Sequence, residues 1–160
     1  MIRKLTATAL TTALALTAAV GPALAQDTVT IGIISATTGP LAAPGKFQLN
    51  GFKLAAKVIN DAGGFKVGGK AYKVALKIYD SHCNAAAGAS AMQRLATVDK
   101  VPVVLGELCS PVAAAEAPIA RDYKIPLILT VPTAASLTKR VNPYLFRVNA
   151  ESELLNVALA

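Results

Sequence analysis

The chain has 160 residues, with 16 lysines and arginines against nine acidic side chains, one histidine, two cysteines and no tryptophan. It is 54% apolar and only 5% aromatic, enough for one sizeable core but without the aromatics among basic residues that a nucleic-acid surface uses. The net charge of +7 is spread as single lysines, as at Lys53, Lys57, Lys66 and Lys73; this is the pattern of a solvated face, and no nucleic-acid partner is expected.

In chain order, the first element is an export signal. Arg3 and Lys4 precede an uncharged, mostly apolar stretch over residues 5–20, and Ala23-Leu24-Ala25 offers the small-x-small pattern of a cleavage site. Residues 1–25 are therefore expected to be a signal peptide, and residues 26–160 a mature chain of net charge +5 in the periplasm. Export carries Cys83 and Cys109 into an oxidising compartment, where a disulfide is favoured over a metal or catalytic pair; the alternative is two unpaired buried thiols.

The β-branched run 29–34 reads as a strand and ends in turn residues Thr38-Gly39-Pro40. Phe52, Ala55, Ala56 and Ile59 then recur with helical spacing, and Lys53, Lys57 and Asn60 fall on the opposite face. Gly63-Gly64 is the expected stop, since glycine enters the left-handed conformation past a helix end without steric cost. Tyr72, Val74, Leu76 and Ile78 alternate with more polar residues, as a strand at a sheet edge would. Ala85, Ala89, Met92 and Ala96 form a second helical stripe, and the nearly all-apolar segment 101–105 reads as a central strand. Ser110-Pro111 opens a helix to about residue 123, with serine expected as the N-cap. Strands over 126–129 and 144–148 follow, then an apolar helix over 151–160 that reads as interrupted, so the chain is expected to be a fragment of a longer one.

This alternation specifies an α/β fold: a doubly wound parallel sheet with helices on both faces. In such sheets ligands bind beyond the carboxyl ends of the strands, where strand order reverses. Residues 36–45, 107–111 and 131–135 occupy those positions. Ser110 stands out there, because a helix N-terminus offers a hydroxyl, amide N–H groups and partial positive charge to a carboxylate. The plainer reading of Ser110 is a helix cap and nothing more. Glu107 ends a buried strand beside it, so it either reaches a ligand or pairs with a lysine at the sheet edge.

Catalytic motifs are missing. There is no Gly-x-Ser-x-Gly elbow, no Gly-x-Gly-x-x-Gly after the first strand and no phosphate loop ending in Gly-Lys-Ser/Thr. His82 beside Cys83 does not make a metal site without a second such pair, and is expected as an exposed loop residue. No enzyme activity, cofactor or metal is expected.

Ile31-Gly32-Ile33-Ile34, Thr38-Gly39-Pro40-Leu41-Ala42, Asn50-Gly51, Ile59-Asn60-Asp61-Ala62-Gly63-Gly64, Tyr79-Asp80 before Cys83, Gly106-Glu107-Leu108-Cys109-Ser110, Leu137-Thr138-Lys139-Arg140 and Tyr144-Leu145-Phe146-Arg147 occur in that order. The set resembles the periplasmic binding proteins for leucine, isoleucine and valine, over the whole of 26–160. The resemblance implies a type I periplasmic binding protein, with two α/β lobes hinged around a ligand, and makes 26–160 its N-terminal lobe without the second. It implies a monomer that passes an amino acid or related small carboxylate to the membrane permease of an ATP-binding-cassette importer. It aligns Cys83 and Cys109 with the family's disulfide and Ser110 with the serine that binds the ligand's α-carboxylate. Thr133 matches the threonine that holds the bound amino acid, and Val131 a position contributing its backbone carbonyl. Pro44 stands where the branched-chain binders place an aromatic residue against the ligand. A ligand-binding sensor domain for small amides or metabolites is the alternative on the same fold.

Overall fold

The computed structural model describes residues 27–139 and 141–159; the expected signal peptide, 1–25, lies outside them. The elements run β1 (Asp27–Ser35), α1 (Ala42–Asp61), β2 (Phe65–Val67), β3 (Lys70–Asp80), α2 (Ala85–Thr97), β4 (Val104–Gly106), α3 (Ser110–Asp122), β5 (Leu127–Leu129), α4 (Ser136–Lys139), β6 (Leu145–Arg147) and α5 (Ser152–Leu159). Six strands form one sheet in the order β2-β3-β1-β4-β5-β6. β1 is parallel to both neighbours, in register from Asp27↔Tyr72 to Ser35↔Asp80 with β3 and through Gly32↔Val104 to Ile34↔Gly106 with β4. Strand order reverses between β1 and β4, so the crevice beyond their carboxyl ends lies at the switch point.

Helices cover both faces, as the alternation of elements requires. Residue parity along β1 shows it: Gly32 leaves room for Leu95 of α2, whereas Ser35, on the other face, bonds to Gly45 and Gln48 of α1. The main core lies on the α2–α3 face, where Ile34, Met92, Leu95, Val104, Ala113 and Leu127 are buried together.

Three sequence expectations are corrected. β3 is an edge strand only past Tyr72, because β2 pairs antiparallel with its beginning, Lys70 to Tyr72. Gly68 and Gly69 close that hairpin in two residues; both have positive φ (57° and 80°), the conformation a tight hairpin turn demands at both central positions.

The inward face of α1 is also different. Gly45, Leu49 and Ala56 are buried, Phe52 is half-buried, and Ala55 and Ile59 are exposed. Asn60 turns inward: its Nδ2 donates to the Val74 carbonyl at 2.9 Å and its Oδ1 accepts from the Val74 N–H at 2.8 Å. Past Tyr72, β3 has no strand on that side, and the Asn60 amide satisfies its exposed backbone as a strand would.

In α2 the buried face is Gly88, Ala91, Met92 and Leu95; of the expected stripe only Met92 lies on it, while Ala85 is exposed and Ala89 and Ala96 are half-buried. Gly88 sets this phase because α3 approaches it closely: a Cβ there would stand 2.2 Å from Val112 Cγ1. Asn84 caps the helix, its Oδ1 accepting from the N–H groups of Ala86 and Ala87 at 3.0 Å. Cys83 and Cys109 form a disulfide, with Cα atoms 5.7 Å apart.

Candidate functional site

The loops after β1, β4 and β5 meet at the carboxyl end of the sheet, and one side chain ties them together. Gln48 of α1 accepts from Ser35 Oγ at 2.5 Å and donates through Nε2 to the Glu107 carbonyl at 3.0 Å and to Thr130 Oγ1 at 2.8 Å. Three strand ends are thereby fixed to one helix. A lone glutamine carries no periodic signal, and sequence reasoning missed it.

Beside this clamp lies a groove of about 390 Å³, walled mainly by Pro44, Phe47, Phe52, Leu108 and Val131, with Gln48 at its base. Its walls are almost wholly apolar, and Phe47 is 77% exposed. Pro44 and Phe47 lie one helical turn apart, so an aromatic ring stands in this groove although Pro44 itself is not aromatic. The signal for it was present: an unpaired phenylalanine near the start of α1, off the buried face.

Ser110 occupies the first turn of α3 but is not its cap. The cap is Cys109, extended at φ −107° and ψ 124°, and no side chain bonds the helix end there. The expected Ser110 cap fails because Ser110 is already helical and the disulfide-tied Cys109 precedes it. Its hydroxyl is instead turned across the crevice, accepting from the Ala134 N–H at 3.3 Å. That bond brings Ser110 next to the loop carrying Val131 and Thr133. The Val131 carbonyl accepts from Asn149 Nδ2 at 3.0 Å. The Thr133 carbonyl accepts from Arg147 Nη1 at 3.2 Å and from the Ser152 N–H at 2.8 Å, a network that leaves its hydroxyl out.

Among the described residues, no lysine forms an ion pair with Glu107. It is fully buried, and its Oε1 accepts from the N–H groups of Leu108 at 2.7 Å and Cys109 at 3.3 Å. Burial raises its pKa; these backbone hydrogen bonds and the neighbouring Ser81 hydroxyl work in the opposite direction without cancelling it.

His82 is exposed, as expected, and braces the rim. Its Nδ1 lies 2.5 Å from Thr38 Oγ1 and 3.3 Å from Asp80 Oδ2. Asp80 Oδ1 also accepts from the N–H groups of Thr37 and His82, at 3.0 and 2.8 Å. Burial pushes the Asp80 carboxyl up, but the bonds from His82, Thr38 and Thr37 outweigh it and hold the group below the ordinary carboxylate value.

Comparison with other proteins gives the same architecture. The sequence pattern of the family described as "Periplasmic binding protein" matches residues 28–160. The leucine-specific-binding protein of Salmonella typhimurium is 31% identical over 129 residues, covering 81% of this chain and 34% of that protein. Among solved structures, the branched-chain amino acid transporter substrate binding protein of Streptococcus pneumoniae, in complex with isoleucine, superposes with a TM-score of 0.69 at 35% identity; the match covers 78% of this chain and 34% of that one. A solute binding protein of an ABC transporter from Rhodopseudomonas palustris, in complex with 3,4-dihydroxybenzoic acid, gives 0.65 at 33% identity, covering 79% and 33%. The chain spans about a third of the length of these relatives.

Proposed function

The chain belongs to the periplasmic binding protein family, and on that premise we propose that its full-length protein is a periplasmic solute-binding protein for a small carboxylate. The ligand, an amino acid or an aromatic acid, is captured between two lobes and delivered to the membrane permease of an ATP-binding-cassette importer. Relatives that bind isoleucine and 3,4-dihydroxybenzoic acid share a carboxylate and an apolar body, and that pairing matches the candidate site.

One observation carries this reading: the Ser110 hydroxyl, at the positive end of a thirteen-residue helix, stands at the switch point near an apolar groove. Ser110 and the α3 N-terminus receive the carboxylate. The Thr133 hydroxyl and the Val131 carbonyl anchor the adjoining polar group, and Phe47 and Pro44 line the side-chain end. Glu107 acts from behind, through the backbone of its own loop.

Titration calorimetry of the full-length protein with L-leucine, L-isoleucine and 4-hydroxybenzoate tests the assignment. Ser110→Ala removes a hydrogen bond to a charged group and is expected to weaken binding by about 10- to 150-fold. Because Ser110 is not a cap, the same change should lower stability by only about 0.5–1.5 kcal/mol, the worth of its bond to Ala134. Thr133→Val keeps shape and removes a hydroxyl, so affinity should fall with little effect on folding. Ser110→Asp still accepts from Ala134 but repels a carboxylate. Native affinity in Ser110→Asp would refute the carboxylate role.

A further inference from the structure

Helix α1 is apolar on two opposite faces, and the lobe buries only one of them. Gly45, Leu49 and Ala56 are packed inward. On the far side Phe47, Leu54 and Val58 are 77%, 62% and 59% exposed, and Gly51 between them is exposed as well. These four residues follow one another at spacings of four, three and four, the repeat of the seam along which two helices pack. A single exposed leucine is ordinary, but three large apolar side chains aligned over about three turns of one helix make an interaction surface.

The row is complementary to itself. Nothing lies within 4 Å of a Cβ placed on Gly51, so the row has an open notch there, with Leu54 as the matching projection. A two-fold axis crossing α1 between Gly51 and Leu54 sets Leu54 of each copy into the notch at Gly51 of the other, and Phe47 of each against Val58 of the other. The polar flank of the row makes the same choice of direction. It carries Lys46 and Asn50 toward the start of α1 and Lys57 and Asp61 toward its end, all exposed. Among the described residues Lys46 forms no ion pair, and Asp61 pairs with Lys57 of its own helix at 2.6 Å, in solvent where a second cation can join. Antiparallel helices bring Lys46 of each copy to Asp61 of the other and oppose the two helix dipoles. Parallel helices would instead set Lys46 on Lys46 and Asp61 on Asp61.

We propose that this face of α1 is a contact between two copies of the full-length protein, which pack α1 against α1 antiparallel through Phe47, Gly51, Leu54 and Val58. The contact departs from the monomer that the family resemblance implies, and it does not depend on the identity of the ligand. Burial of the large apolar side chains drives it, Gly51 lets the two helix backbones approach, and the Lys46–Asp61 pairs fix the direction. One helix pair buries less than the roughly 1,000 Å² of a permanent interface, so the dimer is weak and forms as concentration rises. Phe47 also borders the groove at the candidate site, whereas Leu54, Lys46 and Asp61 do not line it. Those three are therefore the positions to change.

Sedimentation velocity of the full-length protein without ligand, from about 10 µM to about 1 mM, should show a reversible shift from monomer to dimer. Leu54→Glu should weaken dimerisation by about tenfold or more and leave the urea midpoint of the dilute protein unchanged, because the side chain is exposed. Lys46→Glu should weaken it by about fivefold, and the double variant Lys46→Glu, Asp61→Lys should restore it, a recovery that a non-specific apolar contact would not show. A thiol introduced by Leu54→Cys should be alkylated as a free surface thiol in dilute protein and be protected in concentrated protein. Monomers at every concentration, parental dimerisation in Leu54→Glu, or no recovery on charge exchange would each overturn the proposal. So would protection of the Leu54→Cys thiol in the dilute monomer, which would place the row under another part of the same copy. Leu54-dependent binding to anionic lipid vesicles without self-association would overturn it as well. If Leu54→Glu does not fold, the charge-exchange and alkylation arms still decide.

Discussion

Gly45→Ala is expected to destabilise the protein by about 3 kcal/mol, at or beyond the top of the range for overpacked cores. A Cβ on Gly45 would lie 1.8 Å from the Ala36 carbonyl oxygen and 2.6 Å from its carbon. The obstacle is backbone, so no rotamer change relieves it. Nor is α1 free to retreat, because Ser35 Oγ reaches the Gly45 carbonyl at 3.3 Å and Gln48 at 2.5 Å, and Gln48 is bound in turn to β4 and β5. The roughly 1 kcal/mol that alanine returns through helix propensity does not offset such a clash. Gly51, six residues along the same helix, is the control. Nothing stands within 4 Å of a Cβ placed there, so Gly51→Ala should stabilise by about 0.5–1 kcal/mol. Urea midpoints at constant slope are the measurement, and equal midpoints for Gly45→Ala and the parent would show that the close approach is not there. The clash also bears on function: Pro44, Phe47 and Gln48 lie on the displaced turns, so a Gly45→Ala protein that still folds should bind its ligand more weakly.

Loss of the disulfide should be of comparable size. Cys83 and Cys109 are separated by 26 positions, and closing a loop of that length removes enough unfolded-chain entropy to stabilise by about 3–4 kcal/mol. The bond also joins two parts of the candidate site. Cys83 lies in the turn after β3, where it and His82 have positive φ of 54° and 51°, and Cys109 is the residue on which α3 starts. Left-handed backbone at two consecutive non-glycine residues is unfavourable and persists only where surrounding contacts enforce it. Removing the link should therefore lower stability and loosen the approach to Ser110 together. The double variant Cys83→Ala, Cys109→Ala should unfold at lower urea and be indifferent to reducing agent, while the reduced parent should approach the same midpoint. A reduced parent as stable as the oxidised one would contradict the assignment.

Much of this was legible in the residues. The β-branched run in β1, the glycine pair past α1 and the apolar segment around β4 each announce their element through local chemistry, and strung together they specify the parallel α/β sheet. The cysteine pair is legible too, since the expected export would leave few other uses for two thiols. Helix phase was less accessible. In α1 and α2 the innermost positions include Gly45 and Gly88, which add nothing to an apolar stripe and are inside because a neighbouring element comes too close for any side chain. Asn60 was assigned outward because it is polar, yet it turns in to serve the unpaired backbone of β3.

The sequence by itself determined the fold class, the alternation of the main strands and helices and which three loops gather at the carboxyl end of the sheet, and it favoured the cysteine pairing, because these follow from local periodicity, from turn residues and from the chirality and connectivity of βαβ units; β2 and α4 were not read from it. Only the tertiary structure decided that Gln48 joins three strand ends, that Ser110 begins α3 and faces Ala134 instead of capping the helix, and that Glu107 is buried with no ion-pair partner among the described residues. Each of those depends on approach between residues distant in sequence. Hydrogen bonds and desolvation are set by distances of a few ångströms through space, and local periodicity does not encode such distances.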